Sequence, residues 1–381
     1  MALTDRDLAE LRARVEHAGP VTVPVARQPS HTVYVPASAF TAATVGEWAN
    51  EARALVRDHG RPPFPDDIVE MVLAKLVTTP IEDLRVDFED GYGRRPDAEE
   101  DAHATAAGTA LRTDPPPFFG LRCKSLEPAL VLRAARTVDL FLTALGPPPP
   151  GFVITFPKAT SVASAEAAVL LCHQLEHAHG LADGTLQFEL QVETPQAILG
   201  PDGRSPLPEM IVAAQGRLTG LHYGTYDYST ALGVAPSYQS LEHPVADHAK
   251  SVMQVAVAGT GVDIADGSTN VIPAGTSEEV HRAWALHARL VRRSLERGIY
   301  QGWDLHPGHL VTRWGATFEF YRDGVDEAVR RLGHYLGRRV RGHLDEPATA
   351  RAMARFLLRG LHCGALRPGD VRHPVDVLEA L

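Results

Sequence analysis

Residues 186–194 read LQFELQVET, and this alternating stretch indicates the class of fold. Its apolar positions are Leu186, Phe188, Leu190 and Val192, and its polar positions are Gln187, Glu189, Gln191 and Glu193. Because successive side chains of a strand point to opposite faces, the pattern predicts a strand with one apolar and one polar face. If helices cover the apolar face, the polar face points into the interior of a barrel.

Seven further strands are predicted, and helical stretches separate them. They span 31–37, 84–90, 118–125, 152–159, 218–226, 262–268 and 300–307. One helix is predicted over 127–145, where a glycine and four prolines end it, and another begins after Ser277, its predicted N-cap. Strands that alternate with helices favour a (β/α)8 TIM barrel of the α/β class, with an open doubly wound sheet as the alternative.

Three regions are expected along the chain. Residues 1–30 form an N-terminal helical segment, residues 31–329 the catalytic barrel, and residues 330–381 a C-terminal helical extension. The extension is rich in arginine and has no strand pattern, so it is predicted to be a lid or an oligomer arm.

Composition excludes several classes of protein. The 381 residues carry a net charge of −10, which argues against a nucleic-acid partner. The three cysteines share no metal-binding spacing and indicate a reducing, cytoplasmic location. No apolar run approaches the roughly 20 residues that span a membrane, and the charged N-terminus does not have the pattern of a secretion signal.

The predicted barrel interior holds more carboxylates than cations. The inward-facing set contains Asp87, Glu89, Glu189, Glu193 and Asp304, against Arg85, Arg122 and Lys158. Buried charges need partners, so a divalent cation is expected. Glu193 and Asp227 are the candidate ligands, and oxygen ligands without a histidine or cysteine cluster favour Mg2+. The alternative is that Glu193 pairs with an arginine and Asp227 caps the helix that follows.

Other polar residues fall near the carboxyl ends of the predicted strands, where barrel active sites lie. Arg122 can bind a substrate carboxylate or an enolate oxygen, or it pairs with Glu89. Asp90 belongs either to the site or to an Asp-Gly turn. Lys158 is a cation near substrate or an ion-pair partner of the acidic cluster, and His306 is either functional or structural.

Six motifs occur in an order that resembles one enzyme superfamily. They are VDFED, LRCK, FPKA, QVETP, YGTYDYS and DLHPGHL, within residues 31–312. Together they resemble the citrate lyase β-subunit branch of the HpcH/HpaI aldolase superfamily, and they are also similar to malate synthases.

The resemblance implies a TIM barrel with Mg2+ on Glu193 and Asp227 and with Arg122 on the oxo-acid or enolate oxygen. Backbone N–H groups of Gly224 and Thr225 would hold a substrate carboxylate. The implied reaction is Mg2+-dependent aldol or Claisen-type cleavage or formation of a small hydroxy acid or hydroxyacyl-CoA, through an enolate. The expected substrate is a small dicarboxylate, an oxo acid or an acyl thioester of coenzyme A, and homo-oligomers are the expected assembly.

The sequence also departs from the family pattern. LRCK lacks an asparagine, and the second strand lacks a histidine, so the general base is unassigned. The catalytic candidates besides Arg122 are Glu89, Asp90 and Asp304, with Asp304 a candidate base. Asp87, Lys158 and His306 are candidates for substrate binding.

In relatives a C-terminal lid from a neighbouring subunit donates an acid, and the candidates here are Asp345, Asp370 and Asp376. Two other functions stay open, a malate-synthase-like condensation with glyoxylate and a non-catalytic metabolite-binding barrel.

Overall fold

Eight parallel strands form a single sheet. The computed structural model describes residues 27–337 and 346–381, together with residues 6, 8–10 and 12. The strands are β1 Thr32–Pro36, β2 Asp83–Asp87, β3 Phe118–Arg122, β4 Phe152–Phe156, β5 Gln187–Val192, β6 Leu218–Tyr223, β7 Asp263–Ala265 and β8 Trp303–Asp304. Each overlaps its predicted segment, because short apolar or alternating runs between helices mark buried parallel strands.

The sheet closes into a barrel. Neighbouring strands pair in the order β7-β6-β5-β4-β3-β2-β1-β8. Ala265 at the end of β7 makes a parallel bridge to Gln301, just before β8, and the Asp266 N–H donates to the Gln301 carbonyl at 2.8 Å. The (β/α)8 prediction is therefore confirmed, and the open-sheet alternative is wrong.

Helices surround this barrel. They are α1 Thr44–His59, α2 Asp66–Thr78, α3 Asp97–Leu111, α4 Val131–Leu145, α5 Val162–His179, α6 Pro195–Ile198, α7 Leu207–Ala213, α8 Thr225–Ala231, α9 Pro244–Val257, α10 Ser277–Glu296, α11 Pro307–Leu336, α12 Pro347–Cys363, α13 Pro368–Val371 and α14 Val375–Glu379. Among the described residues, none of these helices is long and apolar enough to cross a membrane.

The cap of α10 differs from the prediction by one residue. Thr276, and not Ser277, is the N-cap, and its hydroxyl accepts a hydrogen bond from the Glu279 N–H. The Glu279 carboxylate accepts in return from the Thr276 N–H at 2.8 Å. This reciprocal capping box satisfies two N–H groups at the start of the helix, which a cap at Ser277 would not do.

The interior of the barrel is polar at its amino end and carries its own counter-charges. Arg85 of β2 pairs with Asp83 and lies 3.1 Å from Glu189 of β5. His222 of β6 lies 2.9 Å from the other oxygen of Glu189. Glu189 therefore has protein partners, and this layer does not need a metal ion.

The orientation of β8 is opposite to the prediction. Trp303 points into the barrel, where its ring centroid is 4.7 Å from that of Tyr34 in β1. Asp304 points outward and is fully buried against the helices, where it pairs with Arg313 and His31. The expectation that Asp304 faces the interior is wrong, because a buried ion cluster outside the barrel satisfies this carboxylate.

The described part of the C-terminal extension lies at the amino ends of the strands. The carbonyl of Cys363 in α12 accepts from Lys75, which also pairs with Glu82 directly before β2. The Arg359 guanidinium lies 4.2 Å from the ring centroid of Tyr300, before β8.

That position does not match a lid over the chain's own carboxyl-end site. An arm onto a second subunit stays a prediction, and so does the predicted N-terminal helical segment as a whole. Within that segment, the described residues 6, 8–10 and 12 are helical and exposed. Asp345 and the arginines at positions 338, 339 and 341 lie outside the described residues.

Candidate active site

A cavity of about 310 Å³ opens at the carboxyl ends of the strands. Among its lining residues are Arg122, the last residue of β3, Glu193, which follows β5, and Asp227, in the first turn of α8. Asp87 and Asp90, at and after the end of β2, also line it. Parallel strands bring their carboxyl ends together at one rim, so residues far apart in sequence meet here.

Arg122 is held in one orientation. Its Nε and Nη2 donate to the two oxygens of Asp87 at 2.7 and 2.8 Å, and its Nη1 donates to the side-chain Oε1 of Gln191 at 3.3 Å. Asp87, and not Glu89, is thus its main partner. The Asp87 oxygens also accept from the N–H groups of Glu89 and Gly91. Asp87 was a candidate for substrate binding, and its contacts instead favour a role in orienting Arg122.

Lys158 joins the acidic groups on one side of the site. Its ammonium contacts Glu89 at 2.5 Å and Asp90 at 3.1 Å, and lies 3.9 Å from Asp227. Its own N–H donates to Glu193 at 2.7 Å. The backbone of Lys158 has φ 56, a left-handed conformation that is unusual outside glycine. One residue therefore contacts carboxylates that follow three different strands, and strained backbone of this kind is found at functional sites.

The two candidate metal ligands lie in an environment that disfavours negative charge. Glu193 is 2% exposed, and burial raises the pKa of its carboxyl group to about 8. Arg122 opposes that rise in pKa, and the charge of Asp227 adds to it. Burial likewise raises the pKa of Asp227. Two neighbouring carboxylates that both resist ionisation indicate a place where an added cation is stabilised.

Gly224 and Thr225 fall at the predicted place, but one expected contact is ruled out. The Gly224 N–H donates to the Val192 carbonyl at 3.0 Å as part of the β5–β6 pairing. This N–H is therefore already used and does not bind a carboxylate as expected. A Cβ atom at Gly224 would collide with the Glu193 side chain, so glycine is needed to admit that carboxylate. Thr225 begins α8, where first-turn N–H groups have no partner within the helix.

Asp304 does not reach the cavity. Its oxygens accept from Arg313 and His31 and lie 3.2 Å from His287, and these contacts hold the pKa of Asp304 well below its usual range despite burial. Asp304, His287 and His309 have ligand-type atoms within 4.8 Å of one another, but Arg313 already contacts both oxygens of Asp304. We regard this cluster as structural.

His306 is at the carboxyl end of the barrel but has a local role. Its Nδ1 accepts from the Gly308 N–H at 3.1 Å and so caps α11. It is not among the residues that line the cavity within the described part of the chain. The structural interpretation of His306 is thus the one its contacts favour.

Three aromatic residues of the cavity were missed as site residues. Tyr34 and Trp303 lie beside the Arg122 guanidinium, with ring centroids 4.9 and 5.9 Å from its central carbon. Tyr226 precedes Asp227 and also lines the cavity. In residues 31–37, the alternation places Tyr34 on the same strand face as the polar Thr32, and this was a sequence signal that Tyr34 points into the barrel. Trp303, in contrast, was assigned to the face of β8 that points towards the helices.

Solved structures of similar fold are enzymes with the same barrel. Haloferax volcanii malate synthase in its magnesium/glyoxylate complex matches with a TM-score of 0.54 and 14% identity, over 92% of this chain and 97% of that chain. CitE from Mycobacterium tuberculosis, in complex with magnesium, acetoacetate and coenzyme A, matches with a TM-score of 0.53 and 18% identity, over 89% of this chain and 99% of that chain.

A HpcH/Hpal aldolase/citrate lyase family protein from Burkholderia cenocepacia J2315 is a weaker match, with a TM-score of 0.44 and 15% identity over 79% of this chain and 94% of that chain. The resemblance expected from the six motifs is confirmed at the level of the fold. Fold and site together define a TIM barrel with an acidic site at its carboxyl end.

The chain belongs to the DUF6986 family, described as a domain of unknown function, whose family model matches residues 8–380. No curated protein sequence matches the chain.

Proposed function

We propose that this chain is a Mg2+-dependent enzyme that forms or cleaves a carbon–carbon bond next to a carboxylate. One observation carries the proposal: Glu193, Asp227 and Arg122 line one cavity, and both carboxyl groups have raised pKa values. A buried carboxyl group and a half-buried one beside a fixed guanidinium suit a reaction that develops negative charge on a substrate oxygen. The substrate class is a small oxo or hydroxy acid or its coenzyme A thioester.

Glu193 and Asp227 are the residues that would hold the metal ion. The surrounding charges fit a divalent cation, since Asp87, Glu89, Asp90, Glu193 and Asp227 face only Arg122 and Lys158 among the described residues of this site. Oxygen donors of this kind are those that Mg2+ prefers. When bound, the ion would supply Lewis-acid polarisation of the substrate carbonyl group.

Arg122 is proposed to stabilise the oxygen that becomes negative during the reaction. Asp87 occupies the Nε and Nη2 edge of the guanidinium and prevents it from rotating, while Nη1 is the group with the weaker contacts. A donor that is already oriented needs no reorganisation when charge develops, and one such donor typically contributes about 3 kcal/mol to transition-state stabilisation.

Asp90 is the proposed proton acceptor. Of the carboxylates predicted to be catalytic, Glu89 is buried against Lys158 and Asp304 lies outside the barrel, whereas Asp90 lines the cavity. Burial opposes ionisation of Asp90, but its contacts with Glu89 and Lys158 lower its pKa, so it carries negative charge at neutral pH and can accept a proton.

Condensation with glyoxylate is a second candidate function. The match over 92% of this chain to a malate synthase with bound magnesium and glyoxylate favours it. The same residues would serve both reactions, since each proceeds through an enolate that adds to, or is released from, a carbonyl group. Product analysis with glyoxylate and acyl thioesters separates the two. A binding-only barrel would retain metal affinity without turnover.

The first prediction tests the metal site by calorimetric titration with Mg2+. Glu193→Gln should abolish or greatly weaken Mg2+ binding, because an amide keeps the shape of the side chain but cannot carry the charge that the ion requires. The fold should be retained, since the raised pKa of Glu193 means that a neutral group is already tolerated there.

Glu209→Gln is the matched control, because Glu209 is exposed on α7 and should have no influence on the isotherm. An isotherm of Glu193→Gln that equals the wild-type one would refute the proposed metal site.

A further inference from the structure

The cavity has two chemically different sides. Glu193 follows β5 and Asp227 follows β6, whereas Tyr34 belongs to β1, Trp303 to β8, and Leu305 directly follows β8. In the strand order of this barrel, β1 and β8 are neighbours and lie across the barrel from β5. The two proposed metal ligands therefore face an aromatic and aliphatic side across one small space, and the ion pair of Asp87 with Arg122 lies between them at the ends of β2 and β3.

The apolar side is held rigidly. The Trp303 Nε1–H donates to Nδ1 of His222 at 3.1 Å, and Nε2 of His222 lies 2.9 Å from Glu189. Glu189 is held in turn by Arg85. Tyr34 packs on the Trp303 ring at a centroid distance of 4.7 Å. These contacts connect the Trp303 indole to the polar layer at the amino end of the barrel and fix its orientation. The apolar side is therefore a preorganised surface.

The charged residues that line the cavity disfavour a second anionic group on a ligand. Arg122 is the only cation among the described lining residues, and Asp87 occupies one edge of its guanidinium. Lys158 is held by Glu89 and Asp90. Arg122 lies beside the Trp303 ring, but one ligand carboxylate already occupies it in the proposed function, so a second carboxylate near Leu305 would have no counter-charge of its own.

We propose that the site selects monocarboxylic 2-oxo or 2-hydroxy acids whose other end is apolar, and disfavours the dicarboxylates expected from the sequence. This inference rests on the proposed function, in which the acid end of the ligand lies at Arg122 and the metal site. The remaining carbon atoms then extend towards Tyr34, Trp303 and Leu305, where an alkyl group is desolvated favourably. A carboxylate at the same place loses its water without gaining a partner.

The test compares two ligands of equal chain length, 2-oxopentanoate and 2-oxoglutarate. Each is titrated calorimetrically into the full-length protein in the presence of Mg2+. The wild-type protein should bind 2-oxopentanoate at least about tenfold more tightly, since an unpaired charge in an acidic cavity is strongly disfavoured. Equal binding, or tighter binding of 2-oxoglutarate, overturns the inference.

A single substitution on the apolar side is expected to reverse the preference for 2-oxopentanoate over 2-oxoglutarate. Leu305→Lys adds a cation on the apolar side at a position that is 39% exposed, and should favour 2-oxoglutarate. Leu170→Lys is the matched control, because Leu170 is exposed on α5 and does not line the cavity. It should keep the wild-type ratio. If Leu305→Lys folds and leaves the ratio unchanged, Leu305 does not face the distal end of the ligand, and the inference is overturned.

The two proposals fail in different ways. If Mg2+ does not bind to the wild-type protein, the proposed function and this inference both fail. If Mg2+ binds and 2-oxoglutarate is preferred, only the inference about substrate class fails. If Mg2+ binds and neither acid does, the inference is also overturned, and the metal site stands.

Discussion

Two adjacent residues of β8 have opposite surroundings. Trp303 reaches the cavity, and Asp304 lies between the barrel and the helices. The side-chain period of two in a strand means that one residue can face inward only if its neighbour faces outward. In β8 the outward position holds the charged group, because Arg313, His31 and His287 supply its partners there.

Asp304→Asn should therefore lower the free energy of unfolding by about 3–5 kcal/mol, because it leaves the buried Arg313 without its counter-charge. Since the folded-state pKa of Asp304 is depressed, its stabilising contribution is present above the unfolded-state pKa of about 4 and is lost as the pH falls. Urea unfolding at pH 7 and at lower pH values measures the difference, which should shrink on acidification. A variant of unchanged stability with no turnover would instead assign Asp304 to catalysis.

At the scale of single elements, α10 combines a strong cap with a buried face. Thr276 and Glu279 satisfy two N–H groups at its start, and Trp284 and His287 are among its buried residues. The Nε1–H of Trp284 donates to the Gly308 carbonyl of α11 at 3.0 Å, which ties α10 to the next helix. The cap therefore stabilises a helix whose position supports the network around Asp304.

Thr276→Ala should cost about 1 kcal/mol of stability, the usual value for removing an N-cap side chain. Ser277→Ala is the natural control, because Ser277 is the adjacent hydroxyl residue but lies inside the helix. It should change stability very little, since its hydroxyl makes only an exposed contact with Nδ1 of His59 at 3.1 Å, and alanine is the best helix former. Chemical denaturation of both variants distinguishes them, and a larger loss for Ser277→Ala would contradict the assignment of the cap.

At the scale of the whole molecule, the C-terminal helices belong to the folded body. Leu357 and Ala350 of α12 are fully buried, and α12 packs on α11 at the amino end of the barrel. Asp370, a candidate acid for catalysis, pairs with Arg322 and accepts from the Arg367 N–H. These contacts stabilise the fold and are remote from the cavity at the carboxyl end.

A chain that ends at Gly337 should be strongly destabilised or insoluble, because the truncation exposes the face of α11 that α12 covers. Leu357→Ala in the full chain should cost about 2–5 kcal/mol while leaving Mg2+ affinity unchanged. Leu132→Ala, at an exposed site on α4, serves as its control. Thermal unfolding and Mg2+ calorimetry provide the two measurements. A truncated protein that folds normally and loses only turnover would support the lid.

The barrel and much of the candidate site could be predicted from sequence because local patterns carry them. The strand periodicity in 186–194 is a property of consecutive residues, and it correctly predicted that Glu189 faces the interior. The polar residues that end the strands, such as Arg122 and Glu193, were predicted to meet because strand ends converge at one rim in a parallel barrel. Their roles as ligands or donors stay predictions.

Tertiary structure alone decided three features, each of which depends on partners distant in sequence. Asp304 faces outward because Arg313 and His31 come from α11 and from the residue before β1, and β8 is too short to show a period of its own. The Gly224 N–H is used because β5 lies beside β6. The extension lies at the amino end because its apolar face fits α11 there, and an amphipathic pattern specifies that a face is buried but not against which surface.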